Sequence, residues 1–291
     1  MTETVAPQGN HPISGSTRLY VVLGDPVTQV QSPALLNPLF ARWGMDAVLV
    51  PVHAEPERLE RVVRGLQDAG NVDGIFVTVP HKPAAAGLAD RRSPMVEVTG
   101  SANALRREAD GRWYAENFDG LGFVAGLVAA GHDPNRERVA LVGAGGAGSA
   151  IAAALLAAGV ERLAVCDPDT AKLEALRTRL DAHWPGRTRT SAAPDTEGAG
   201  LVVNATPLGL APGDPLPFRP DRLAPGRVVA DIIMHPRETR LLREAAELGH
   251  HVHCGIHMLD GQVDAYRAFF GFAPPVRATT RAGDVVRRAP A

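Results

Sequence analysis

The chain has 291 residues, of which 45% are apolar and 5% aromatic, with a formal net charge of −2 and two cysteines. That length accommodates one large domain or two smaller ones, with enough apolar side chains for a packed core. Near-neutral charge argues against the basic face of a nucleic-acid binder, no apolar run reaches the roughly 18 residues of a membrane helix, and two cysteines cannot frame a disulfide scaffold.

Residues 1–16 carry two prolines and no apolar run, so they read as a disordered leader rather than a secretory signal, with 281–291 as a matching tail. Residues 19–23 form a short apolar run stopped by Gly24-Asp25-Pro26, the pattern of a strand and a turn. Residues 33–43 have helical spacing up to Gly44, and 47–52 read as a strand. Residues 56–69 read as an amphipathic helix with Leu59, Val62, Val63 and Leu66 on one face. A third strand, 74–79, is cut off by Pro80. A second region starts near Gly122. There 123–130 reads as helix, 133–135 as loop, 138–142 as strand, 149–158 as helix, 163–166 as strand and 170–183 as helix. Strands at 201–204 and 228–233 and a helix at 238–248, capped by Gly249, complete the pattern. Strands separated by helices imply right-handed crossovers and an α/β fold with a mostly parallel sheet. Cys166 and Cys254 adjoin probable strands and read as buried thiols in a reduced cytoplasm.

Gly143-Ala144-Gly145-Gly146-Ala147-Gly148 fits G-x-G-x-x-G, follows a strand and opens a helix. That context is what a dinucleotide fingerprint requires. The first glycine permits a tight turn, the second lets backbone amides reach a pyrophosphate, and the third lets helix and strand pack closely. The helix N-terminus adds partial positive charge. Asp167, 19 residues after Gly148, stands where a carboxylate accepts from the adenosine ribose hydroxyls. A 2′-phosphate there meets like charge, and no Arg or Lys precedes Lys172, so NAD is preferred and NADP remains possible. Asn204-Ala205-Thr206-Pro207-Leu208-Gly209 follows a later strand and is either a lining of the cofactor cleft or a plain turn.

Several separated motifs resemble those of the shikimate dehydrogenase family, in the family's order. They are Gly24-Asp25-Pro26 with Ser32-Pro33, then Val77-Thr78-Val79-Pro80-His81-Lys82, Gly100-Ser101-Ala102-Asn103 and Asn117-Phe118-Asp119-Gly120. The glycine loop, Asn204-Ala205-Thr206-Pro207 and the stretch from Gly255 to Gln262 complete the set, which spans about residues 18 to 275. The resemblance implies a substrate-binding domain at 18–120 completed by 255–291, and a Rossmann domain for NAD(P) at 121–254, with the cleft between them. It also implies that Lys82 and Asp119 are the catalytic pair. Hydride leaves a carbinol carbon for the nicotinamide, and the hydroxyl must lose its proton. Burial disfavours an ammonium whereas a neighbouring carboxylate favours it, so either Lys82 is the base or the pair moves the proton together. By the same resemblance Thr78, Asn103 and Gln262 hydrogen-bond ring hydroxyls, Ser32 holds a carboxylate, and Gly255 and Met258 lie beside the cofactor. The activity implied is shikimate or quinate dehydrogenation. A paralogue acting on aminoshikimate or another cyclic polyol and a non-catalytic nucleotide sensor are the alternatives, and either a monomer or a homodimer is expected.

Four positions depart from the family's pattern. Val30 replaces a second serine and Met234 a tyrosine, both at the carboxylate end, while Phe76 replaces an asparagine and Phe118 a threonine. Each lost hydrogen bond to a charged group costs ~1.5–3 kcal/mol of binding. Either the carboxylate anchor is remodelled, or His257, Arg237 or a backbone amide fills the gap. His250, His251, His253 and His257 lack the spacing and companion ligands of a zinc site, and no metal is expected. The pairs Arg91-Arg92, Arg106-Arg107 and Arg287-Arg288 read as solvated surface.

Overall fold

Five strands of a six-stranded sheet run in one direction and a single strand opposes them in the first half of the computed structural model, which describes residues 13–272. Most of the expected leader and all of the expected tail, with Arg287-Arg288, lie outside those residues. The first half runs β1 (Arg18–Gly24), α1 (Ser32–Arg42), β2 (Ala47–His53), α2 (Leu59–Asp68), β3 (Val72–Val77), α3 (Lys82–Ala85), β4 (Arg91–Arg92), α4 (Pro94–Thr99), β5 (Ala104–Arg107), β6 (Trp113–Glu116) and α5 (Asp119–Ala129). Strand order is β2-β1-β3-β5-β6-β4, with β5 the reversed strand. The apolar runs at β1 and β3 sit centrally and are buried on both faces, as parallel strands require. β4, β5, β6 and α4 have no apolar periodicity in the sequence and were not among the expected elements. Arg106 and Arg107, expected as solvated, are half-buried on β5. Arg107 donates to the carbonyls of Gln67, Ala69 and Val72 and covers the Trp113 ring.

The second half runs β7 (Arg138–Val142), α6 (Gly146–Ala157), β8 (Arg162–Cys166), α7 (Thr170–Asp181), β9 (Thr188–Ser191), β10 (Leu201–Asn204), β11 (Val228–Asp231), α8 (Arg240–Glu247) and β12 (His251–His253). All pairings are parallel, in the order β12-β11-β10-β7-β8-β9. That is the doubly wound order, and its switch point between β10 and β7 opens a crevice at the strands' carboxyl ends. α6 is apolar around its whole circumference because it is covered on every side, with Ile151, Leu155 and Leu156 fully buried. Gly120 of α5 lies so close to α6 that a β-carbon there would fall 2.1 Å from the Ala150 carbonyl oxygen. A helix over 256–260 (α9) follows, and α10 (Val263–Phe270) returns to the first sheet. There Tyr266, Phe269 and Phe270 join Tyr20, Phe40, Phe76 and Phe118 in one aromatic core.

Cys166 and Cys254 are both free thiols. Burial pushes the Cys166 thiol up to about 11, while Cys254 is half-buried. His251 is exposed on the edge strand β12, whereas His253 is buried with its ring 5.0 Å from that of His257. Among the described residues no helix is long and apolar enough to cross a membrane, and no group of three or more His, Cys, Asp and Glu side chains could hold a metal.

Candidate active site

β7 delivers the chain into the glycine turn at the switch point. Gly143 takes φ +107, a conformation open to glycine, and a β-carbon there would stand 2.7 Å from the Ala205 carbonyl oxygen. A β-carbon at Gly148 would lie 2.1 Å from the Gly143 carbonyl oxygen, so the turn folds against itself. Gly145 faces open space. The first turn of α6 carries no side-chain cap. Its leading amides therefore have no partner within the helix and are available to phosphate oxygens. Asp167 sits beside this turn and accepts the amide of Ala144 at 2.9 Å and that of Asp169 at 3.0 Å. Lys172 Nζ stands 3.7 Å from the same carboxylate.

Lys82 opens α3 and Asp119 opens α5, and the two meet as a buried pair with Nζ and Oδ2 2.6 Å apart. Gly146 presses on Lys82, since a β-carbon there would lie 2.7 Å from the lysine Cβ. The pair thus stands against the glycine turn. Asp119 Oδ1 accepts from Asn103 Nδ2 at 2.9 Å and from Gln262 Nε2 at 3.3 Å. The Asp119 amide donates to Asn117 Oδ1, Asn117 donates to Ser101 Oγ at 2.9 Å, and Ser101 Oγ donates to the Gly146 carbonyl at 3.0 Å. The carboxylate is thereby tied to the glycine turn. Tyr266 donates to Gln262 Oε1 at 2.5 Å and accepts from Asn103 Nδ2 at 3.1 Å. Burial, aided by the Asp119 charge, raises the Tyr266 hydroxyl well above its ordinary range, so it stays protonated.

A cleft of about 310 Å³ passes between the sheets in front of this network. Of the residues singled out from sequence, Ser32, Thr78, Lys82, Asn103, Asp119, Gly145, Gly146, Ala147, Ala205, Thr206, Met258 and Gln262 line it. Gly143, Ala144, Gly148, Asp167, Asn204 and Gly255 do not line it. Asn204 is fully buried and braces its own loop, donating to Asp231 Oδ1 and the Leu208 carbonyl and accepting from the Thr206 amide and hydroxyl. Gly255 lets α9 approach β11, since a β-carbon there would fall 2.4 Å from the Ile232 carbonyl oxygen. Tyr266 and Asp231 were not singled out from sequence. No motif singled out in the sequence contains Tyr266, and only the fold brings it to Asn103, 163 residues away. Of the departures, Val30, Phe76 and Met234 line the cleft, and Phe118 packs edge-on against Tyr266 behind it. Neither His257 nor Arg237 is among the lining residues, whereas Gln29, Gln31 and His235 are.

Residues 22–105 match the model of the shikimate dehydrogenase substrate binding domain, and 132–181 match the ThiF family. A shikimate dehydrogenase (NADP(+)) of Rubrobacter xylanophilus is 40% identical, covering 93% of this chain and 96% of that protein. The crystal structure of shikimate dehydrogenase from Aquifex aeolicus superposes with a TM-score of 0.80 at 29% identity, over 90% of this chain and 96% of that one. The ligand-free 5-ketofructose reductase of a Gluconobacter strain gives 0.76 at 27% identity, over 89% and 94%. The relatives named for NADP(+) overturn the expected NAD preference. The geometry supplies the reason. The Asp167 carboxylate already accepts two backbone amides, and Lys172 sits beside it, so the charge that was to repel a 2′-phosphate is partly offset.

Proposed function

This chain belongs to the shikimate dehydrogenase family, and on that premise we propose that it interconverts a ring alcohol and its ketone with NADP(H), in a substrate of the shikimate or quinate type. The observation that carries this reading is the buried Lys82–Asp119 pair at 2.6 Å, set against the glycine turn. The residues present fit a dinucleotide. Gly145 leaves an open cradle, the leading amides of α6 suit the pyrophosphate, and Lys172 is a cation for a 2′-phosphate. A dinucleotide held by the glycine turn and the leading amides of α6 would supply the hydride acceptor for oxidation and the donor for reduction.

The chain's own residues handle the proton. Over 2.6 Å, Lys82 Nζ and Asp119 Oδ2 can share one proton. While Oδ2 holds it, Nζ is a neutral amine whose lone pair accepts the substrate's hydroxyl proton as the carbonyl forms. Asn103 and Gln262 steady the other carboxylate oxygen, and with Thr78 they read the remaining ring hydroxyls. Ser32 contributes a hydroxyl at the far end, and Met258 shapes the wall beside the cofactor. In this reading residues 18–120, completed by 255 onward, bind substrate, and 121–254 bind NADP(H), in a reducing cytoplasm that suits two free thiols. Lys82→Ala, assayed with shikimate and quinate, abolishes turnover while NADP(H) affinity stays within about twofold, because the glycine turn and the leading amides of α6 are untouched. An unchanged rate in that variant refutes the assignment.

A further inference from the structure

We infer that the cleft, lined by Val30, Phe76 and Met234, takes an uncharged substrate, so that a neutral form of the ring alcohol outcompetes the corresponding carboxylate. The inference rests on the proposed alcohol–ketone chemistry and specifies its substrate.

The cleft holds few groups able to receive an anion. Among the described residues its ionisable lining groups are Lys82, Asp119, His235 and Tyr266, with no arginine among them. Lys82 is neutralised by Asp119, so the pair carries no net charge. Tyr266 donates to Gln262. His235 is exposed at the mouth. Several of the cleft's lining residues are apolar and fixed by packing. Val30, on the segment between β1 and α1, packs against the aromatic core, and Met234, just after β11, packs against the core of the second half. Phe76 also lines the cleft, its ring edge-on to Tyr266 at 4.8 Å and 4.7 Å from Phe270, so it cannot swing aside without breaking that cluster.

The amides nearby turn to the backbone. Gln29 Nε2 donates to the Pro26 carbonyl at 2.8 Å, which fixes the orientation of the amide and leaves its buried Oε1 without a partner. Gln31 Nε2 donates to the Gln29 carbonyl at 3.2 Å. Both side-chain amide nitrogens are thus engaged by backbone carbonyls of their own segment. The hydroxyls of Ser32 and Thr78 remain, and they serve a neutral oxygen as well as a charged one. Moving a carboxylate from water to such a site without a cation is costly, and each missing charge-assisted hydrogen bond weakens binding roughly tenfold or more.

The test compares shikimate with its methyl ester, which has the same ring and hydroxyls and no charge, as substrates of the full chain with NADP(+). The ester is expected to show a kcat/KM at least tenfold above that of the acid. The double variant Val30→Ser, Met234→Tyr, which restores hydroxyls at both positions, is expected to lower that ratio at least tenfold. Equal or better turnover of the acid by the wild type overturns the inference while leaving the alcohol–ketone chemistry standing. In that case loss of the acid's advantage in His235→Ala identifies the missing cation. Turnover of neither compound, nor of quinate, refutes the proposed function itself, and the inference falls with it.

Discussion

The second sheet is enclosed by alanine, valine and leucine, whereas the first is closed on the cleft side by aromatic rings. In the second half, close approach of backbones does the positioning. Gly143 and Gly148 within it, and Gly120 of α5 and Gly255 before α9 where they pack on it, each stand where a β-carbon would strike a carbonyl oxygen at 2.1–2.7 Å. In the first half the rings of Phe76, Phe118 and Phe270 surround Tyr266, whose hydroxyl reaches the catalytic network. A cradle built from backbone serves any pyrophosphate, because amides and glycines carry no preference for what is attached beyond it. A pocket built from side chains changes its ligand when a few of them change. Three of the four departures from the family's pattern, Val30, Phe76 and Met234, are side chains lining the cleft, and the fourth, Phe118, packs behind it on Tyr266.

Mutations at the junction of the halves give the largest effects. Asp119→Asn removes the proton's second resting place and is expected to lower kcat by about 10²–10⁴, read in steady-state assays with NADP(+). Gly148→Val drives a side chain into the Gly143 carbonyl and is expected to cost about 3 kcal/mol, measured by urea unfolding. Gly145→Ala is the matching control. It meets nothing in the protein, so stability holds while NADP(H) affinity falls, which separates packing glycines from ligand-facing ones.

His253 tests the second half by acid. Burial, with the neighbouring His257 and His132, pushes its imidazole from 6.5 down to about 4. Below the unfolded value only the unfolded chain takes up the proton, so stability falls as pH drops from about 6.5 to about 4. The loss is on the order of 3 kcal/mol. His253→Leu should flatten this acid limb in thermal melts recorded from pH 7 to 4, and an unaltered limb would assign it to other groups. On the aromatic side Tyr266→Phe unlinks Gln262 from Asn103 and is expected to cost about 1–1.5 kcal/mol in kcat/KM. The smallest effect belongs to Lys172→Ala. Its half-exposed ammonium contributes below about 1 kcal/mol, so the KM for NADP(+) rises a few-fold and that for NAD(+) does not.

The nucleotide half was largely legible in the sequence because its rules are local. A strand running into glycines and a helix constrains the backbone within a dozen residues, and Arg138–Val142 and Leu201–Asn204 form where the apolar runs place them. The first half was legible at β1, β2 and β3, where buried runs are long. It was not at Ala104–Arg107 or Trp113–Glu116, whose short strands carry arginine, glutamate and no alternation. Lys82 and Asp119 were identified through motif context, and no periodicity would have paired them across 37 residues. Asp167 misled in the reading of the cofactor because a carboxylate's availability depends on what it already accepts. The backbone amides of Ala144 and Asp169 are invisible as partners until the turn is folded.

Gly120 has a mechanical corollary. Its bare α-carbon lets the opening turn of α5 rest directly on the Ala150 carbonyl, so α5 and α6 cross like two beams bolted at one point. Asp119 is the end of one beam and the pyrophosphate cradle is the end of the other. The contact at Gly120 thus adds a backbone-to-backbone link to the side-chain links that run through Asn117 and Ser101.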